Sequence, residues 1–148
     1  MMRILLDGIY FGTGDDLSVM AEVTEIDVAR FSFHPDDYRA YRRSQFNVRA
    51  EQELAILRSQ YPESEILSWD KQEREARLML ADPNYQSALL SGIAVGRGIT
   101  VVDLRDRVIA KADAYTAQVA AVLGRRQALE DQLSVLSDWQ DMAALSWD

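Results

Sequence analysis

Residues 100–138 read TVVDLRDRVIAKADAYTAQVAAVLGRRQALEDQLSVLSD, a stretch without proline. From Val108 onward, alternating steps of four and three residues select nine positions, of which eight are apolar: Val108, Ala112, Tyr115, Val119, Val122, Arg126, Leu129, Leu133 and Leu136. This spacing is the heptad pattern of a coiled coil or a long packed helix, sustained over about four heptads. It predicts one long helix with an apolar seam, which the rest of the chain or a second copy must cover.

Arg126 is the one charged residue in this seam. A charge at such a position weakens packing and often fixes register or oligomer number. Arg125 and Glu130 follow the pattern of flanking positions that can bridge along the surface. Two interpretations stay open: Arg126 lays its aliphatic stem along the seam with its head in solvent, or it sets a register or meets an acidic partner.

The N-terminal third has the pattern of β-strands. Asp7-Gly8 separates two mainly apolar segments, 3–6 and 9–11, and this dipeptide tolerates the positive φ angles of a two-residue hairpin turn. Leu17–Val23 and Ile26–Phe33 are further candidate strands. We therefore predict the α+β class, with a small N-terminal antiparallel β meander followed by a mostly helical region with one long, coiled-coil-like helix.

The middle of the chain contains several helix signals. Residues 38–47 fit a short helix or an extended arm, and a helix is predicted for 48–60. Ser68 is a candidate N-cap, and Asp82-Pro83 is predicted to start a further helix. Gly96–Gly98 is predicted to break the helical region before the long helix, which Thr100 and Asp103 are predicted to start. The predicted segments are a β-rich head (1–47), short helices (48–98), the long helix (99–138) and a C-terminal tail (139–148).

The C-terminal tail carries Trp139 and Trp147, with Met142 and Leu145 near the same helical face. Tryptophan is a frequent anchor at protein interfaces. The tail is therefore expected either to dock on the core of the chain or to bind a partner.

Composition limits the classes of function. The chain has 148 residues, 24 acidic against 16 basic, a net charge of -8 and no cysteine. This balance disfavours a general phosphate-binding surface, so we predict no nucleic-acid partner. The absence of cysteine excludes disulfides and thiolate metal sites. No apolar run approaches the ~18 residues of a membrane span, and no membrane association is predicted.

Catalytic and metal-binding motifs are missing from the sequence. The single histidine, His34, precedes a proline, and the acidic pairs at 15–16 and 36–37 lack the spacing of a calcium loop. The paired glycines at 12 and 14 and at 96 and 98 lack the remainder of a nucleotide-binding loop. We predict no catalytic residue, no cofactor and no metal, and therefore a protein that is not an enzyme.

Three blocks of residues resemble a known family. They are SWDKQE (68–73) with LADP (80–83), IAKADAY (109–115), and GRRQALED (124–131). Over about residues 64–133, the chain is similar to small tail proteins of tailed bacteriophages that are described as tail-fibre assembly proteins.

The resemblance implies a non-enzymatic protein that binds a phage tail fibre or a neighbouring tail protein and assists folding, trimerisation or attachment of the fibre. It implies a place in the host cytoplasm during assembly, or in the virion tail. A permanent structural component of the tail is the alternative, and a host-directed regulatory binding protein is the third. A homo-oligomer through the long helix also stays open. The predicted interaction residues are Trp69, Tyr115, Val119, Val122, Arg126, Leu129, Leu133, Leu136, Trp139 and Trp147.

Overall fold

The computed structural model describes residues 1–148 and contains two compact units. The terminal unit comprises Met1–Gln52 and Leu123–Asp148, and the central unit comprises Glu53–Val122. In chain order the elements are β1 (Met2–Leu6), β2 (Ile9–Gly14), α1 (Leu17–Thr24), a 3-10 turn (Val28–Arg30), β3 (Phe31–Phe33), α2 (Pro35–Ser59), α3 (Glu63–Ile66), α4 (Trp69–Ala81), α5 (Ala88–Arg97), α6 (Val101–Val135) and α7 (Trp139–Ala144). The predicted α+β class, with a small N-terminal antiparallel sheet and one long helix, is confirmed.

The three-stranded sheet begins with the predicted hairpin. Asp7 and Gly8 have φ angles of 51° and 82°, which places Leu6 opposite Ile9 across a two-residue turn. The third strand does not continue a meander. β3 pairs antiparallel with β1, with Ile4 opposite Phe33, so the strand order is β2-β1-β3.

One of the predicted strands is wrong, and another is longer than the strand that the structure contains. Leu17–Val23 lies in helix α1, and only Phe31–Phe33 of the predicted strand Ile26–Phe33 is extended and paired. Aspartates explain both differences, because their carboxylates satisfy free backbone donors at a helix start. Asp16 accepts from the Ser18 N–H at 2.8 Å, and Asp27 accepts from the Ala29 N–H at 2.9 Å.

Helix α2 begins at Pro35, well before the predicted start at Val48. Residues 38–47, for which the sequence allowed a helix or an arm, are therefore helical. Proline has no backbone N–H to lose in the first turn of a helix. Asp36 and Asp37 follow it there, where negative charge is favourable.

The start of α5 corrects the prediction for Asp82-Pro83. Asp82 ends α4, and its carboxylate accepts from the Asn84 N–H at 2.9 Å in a local turn. The N-cap of α5 is Ser87, whose hydroxyl accepts from the Leu90 N–H at 2.9 Å. Ser87 is buried and donates its hydroxyl hydrogen to Glu75, so this cap also ties α5 to α4.

The signals around the long helix are confirmed. Gly98 has a φ of 65° and ends α5, with the Ile99 N–H donating to the Ala94 carbonyl at 3.1 Å. The Thr100 hydroxyl accepts from the Asp103 N–H at 3.0 Å, which caps the start of α6. At the other end, the Arg39 guanidinium donates to the carbonyls of Leu133 at 3.1 Å and Leu136 at 2.8 Å. A cation at this position is favourable because the last carbonyls of a helix lack partners.

Each unit has its own apolar core. The completely buried side chains of the terminal unit include Ile4, Leu133 and Met142. In the central unit, Ala76, Leu90, Ala94 and Leu104 form a buried cluster of α4, α5 and α6. Two alanines in this cluster allow the helices to approach closely, because small side chains keep helix axes near each other.

Candidate protein-binding cleft

The heptad seam of α6 is covered within a single chain. None of its nine positions is exposed: Val122, Leu129 and Leu133 are buried, and the other six are half-buried. Burial of apolar area is the main stabilising effect of packing. The seam therefore does not require a second copy of the chain to hide it from water.

Arg126 keeps its charge at the edge of the seam. Its side chain is 26% exposed, and Nη1 donates to Glu130 Oε2 at 2.9 Å and to Asn47 Oδ1 at 3.3 Å. The second oxygen of Glu130 contacts Arg43 Nε at 3.0 Å. The Arg126 head is therefore bound to a carboxylate and an amide of its own chain.

The C-terminal tryptophans pack against the terminal unit. The Trp139 ring lies 5.4 Å from the Phe33 ring and 5.6 Å from the Tyr38 ring, in edge-to-face geometry. Trp147 is buried, with its ring 6.4 Å from Phe46 and the Arg125 guanidinium 5.5 Å from its centre. The tail thus docks on the core of the terminal unit.

A cleft with three aromatic walls lies in the central unit. The Trp69 ring is 4.9 Å from the Tyr61 ring and 5.1 Å from the Tyr115 ring, both edge-to-face. All three side chains are half-buried and line a cavity of about 220 Å³. Trp69 also joins α4 to α6 through its contact with Tyr115.

Lys111 brings a charge into this aromatic cleft. Its ammonium lies 4.0 Å from the centre of the Tyr61 ring and 5.3 Å from that of Trp69. It also donates to Glu65 Oε1 at 2.6 Å, and this hydrogen bond lowers the pKa of the Glu65 carboxyl. Cations are attracted to the negative faces of aromatic rings. The cleft therefore presents rings, an ammonium and a carboxylate together.

A second ion-pair network borders the cleft on α4 and α6. Arg77 Nη2 contacts Asp113 Oδ1 at 2.5 Å and Glu73 Oε1 at 2.9 Å. These residues are exposed enough for solvent to weaken each pair. The network therefore adds little to stability.

Sequence reasoning missed most of the cleft. Of the predicted interaction residues, Trp69 and Tyr115 line it, whereas Tyr61, Glu65 and Lys111 were not predicted. Lys111 and Tyr115 are four residues apart, which places them on one helical face. That spacing could have indicated that Lys111 lies beside Tyr115. It does not indicate that Tyr61 and Trp69 lie opposite these two residues. The interaction role of the ten predicted residues stays a prediction.

The structure contains no cluster of metal-binding side chains and no membrane-spanning helix. It brings together no group of three or more histidine, cysteine, aspartate or glutamate side chains that could hold a metal ion. His34 Nδ1 lies 3.2 Å from Arg3 Nη2 and 3.3 Å from the Asp36 backbone nitrogen, beside the Arg3–Asp37 ion pair. None of the helices has the length and apolar character needed to span a bilayer.

One family model matches part of the chain. It is described as the HI1402 helical domain and matches residues 110–147, which cover the later part of α6 and most of the tail. No curated protein and no solved structure gives a match. The matched segment includes Lys111 and Tyr115 of the cleft but not Tyr61 or Trp69.

Proposed function

We propose that this protein has no catalytic role and binds a tail fibre or a neighbouring tail protein of a tailed bacteriophage through the cleft of the central unit. In this proposal it assists the folding, trimerisation or attachment of the fibre in the host cytoplasm. The proposal rests mainly on the observation that several cleft residues lie in the sequence blocks that resemble tail-fibre assembly proteins. Trp69, Gln72 and Glu73 come from one block that resembles tail-fibre assembly proteins, and Lys111 and Tyr115 come from another.

The chemistry of the cleft suits a protein partner. Half-buried aromatic rings supply large contact areas with few rotatable bonds, and tyrosine and tryptophan are enriched at interfaces for this reason. The Lys111 and Glu65 side chains offer a donor and an acceptor at the same place. A cavity of about 220 Å³ is large enough for one or two side chains of a partner.

Co-expression with the tail-fibre gene of the same phage tests this function. We expect full-length protein to co-purify with the fibre and to increase the soluble fraction of the fibre. Tyr115→Ala should reduce both, because it removes one wall of the cleft. Tyr85→Ala is the matched control, since Tyr85 is also a half-buried tyrosine of the central unit but does not line the cleft.

The C-terminal tail is a poor choice for this test. Removal of residues after Leu136 would delete Met142 and Trp147, which are buried in the terminal unit. Such a truncation would disturb folding and binding together.

If Tyr115→Ala folds normally and still solubilises the fibre as well as the unchanged chain, the cleft is not the binding site.

The alternative role, a permanent component of the virion tail, uses the same binding chemistry. The amount of protein in purified particles separates the two roles. Absence from particles supports an assembly factor, and a fixed ratio to the fibre supports a structural component. If the chain binds no tail protein and leaves fibre solubility unchanged, both roles are excluded.

A further inference from the structure

Two arginines that line one pocket of the central unit form no ion pair, although the chain is rich in acids. Arg3 pairs with Asp37 and Arg77 with Asp113, as is usual for arginines in this protein. Arg97 and Arg107, by contrast, form no ion pair and no side-chain hydrogen bond. With 24 acidic residues available to 16 basic ones, unpaired arginines that line one pocket call for an explanation.

These arginines line one pocket, beside the aromatic cleft. The pocket has a volume of about 550 Å³ and shares Lys111, Gln72 and Glu65 with the cleft. Arg97 is the last residue of α5, and Arg107 lies on α6, one turn before Lys111. Arg107 and Lys111 are four residues apart, which places them on one face of the helix.

The floor of the pocket is apolar. It is formed by Ile93 of α5 and by Leu104 and Val108 of α6, and Leu104 is almost fully buried. The charged lining consists of three cations and one carboxylate, a net charge of +2. Glu65 is hydrogen-bonded to Lys111. The hydrogen bond to Lys111 and, to a smaller extent, the charge of Arg97 lower the pKa of the Glu65 carboxyl. Arg97 and Arg107 have no carboxylate within ion-pair distance.

We infer that this pocket binds an acidic segment of the partner protein, in which a carboxylate side chain meets Arg97 and Arg107 and a neighbouring aliphatic side chain covers Ile93, Leu104 and Val108. The inference rests on the proposed function and names the chemistry of the partner. Guanidinium groups match carboxylates in geometry and can form two parallel hydrogen bonds with them. The apolar floor favours a peptide over a polyphosphate, and the net charge of -8 opposes nucleic acid.

The test uses the full chain, labelled with ¹⁵N, and a defined probe. The probe is the peptide acetyl-Leu-Glu-Leu-Glu-Leu-amide, with the corresponding glutamine peptide and inorganic phosphate as comparisons. Backbone and arginine Nε–H signals are followed by NMR during titration. We expect saturable shifts around Arg97 and Arg107 with the glutamate peptide, and binding at least about tenfold weaker with the glutamine peptide.

Charge-reversed variants identify the site. Arg107→Glu should weaken binding of the glutamate peptide by about tenfold or more. Arg74→Glu is the matched control, because Arg74 is an exposed arginine of the same unit that has no ion pair and does not line the pocket. It should leave the affinity within about twofold, since it changes only long-range charge. If Arg107→Glu unfolds, Arg97→Gln and Arg107→Gln replace it.

Four results would overturn the inference: no binding of the glutamate peptide at millimolar concentration, equal binding of the glutamine peptide, equal binding of phosphate, or an equal loss of affinity in Arg74→Glu. Fibre co-purification separates this inference from the proposed function. If the fibre binds but the peptide does not, only the inference fails. If the peptide binds but the fibre does not, the proposed function fails.

Discussion

The two units each contain a cluster of three aromatic rings, and the clusters differ in their exposure to water. In the terminal unit, Phe33 stacks on Tyr38 at 5.3 Å, and Trp139 meets both edge-to-face. Phe33 and Tyr38 are buried, and burial raises the pKa of the Tyr38 hydroxyl. Trp139 is half-buried, as are all three rings of the central unit, Tyr61, Trp69 and Tyr115. Both clusters border a cavity, so the difference lies in the depth of burial.

The polar groups among the rings explain the difference. Lys111 and Glu65 form an ion pair against the central cluster. Removal of two charges from water costs several kcal/mol per ion before their attraction is counted. A cluster that includes such a pair is therefore more stable when it stays open to solvent. Aromatic content alone does not distinguish a core from a cleft, whereas the neighbouring charges do.

The largest expected effect is on the more deeply buried cluster of the terminal unit. Phe33→Ala should lower the free energy of unfolding by about 3–5 kcal/mol, because it leaves a cavity among packed rings. Urea unfolding followed by far-ultraviolet circular dichroism measures the change. A loss below about 1 kcal/mol would contradict the assignment of Phe33 to a buried core.

The cluster of the central unit should be less sensitive. Trp69→Ala should cost about 2 kcal/mol, since the ring is half-buried and loses two edge-to-face contacts. The same unfolding assay allows direct comparison with Phe33→Ala. If Trp69→Ala proved as destabilising as Phe33→Ala, the central cluster would be a core and not a binding cleft.

The Arg3–Asp37 pair supports the terminal unit in a pH-dependent way. Arg3 donates to both Asp37 oxygens, at 2.6 and 2.9 Å, and these hydrogen bonds hold the pKa of the Asp37 carboxyl well below its usual range. A lowered folded-state pKa contributes stability above the unfolded value of about 3.9, and this contribution is lost as pH falls toward the folded value.

Asp37→Asn should therefore destabilise the protein at pH 7, and the difference from the unchanged chain should shrink below about pH 4. Unfolding free energies measured between pH 7 and pH 3 test this. Equal stability of both chains at pH 7, or a difference that grows on acidification, would show that the pair does not contribute as described.

The smallest effect is expected in the seam. Arg126→Leu removes an ion pair at the edge of the terminal unit and should change stability by less than about 1 kcal/mol. The molecular mass should stay that of a monomer, because the seam is already covered. Light scattering at several concentrations measures the mass. A mass that rises with concentration would show that the seam associates between copies.

The features that were predicted correctly from the sequence depend on local or periodic patterns of residues. The 4–3 spacing of α6 identified the covered stripe, because a helix repeats its faces at nearly that period whatever lies opposite. The Asp7-Gly8 turn, Gly98 and Thr100 were also found, because each acts on the backbone within a few residues. The predicted strand at 17–23 failed for a similar local reason, since the Asp16 cap outweighs a weak β pattern.

The sequence by itself thus determined the long helix, its apolar stripe, the hairpin and the ends of several helices, all of which depend on neighbours in the chain. Only the tertiary structure decided that the stripe is covered by this chain and that Trp139 packs in a core. It alone brought Tyr61, Trp69 and Lys111 together, and it left Arg97 and Arg107 without a carboxylate at ion-pair distance. These outcomes depend on contacts between residues far apart in sequence, for which no periodic pattern exists, and on the cost of burying charge, which is set by the folded surroundings.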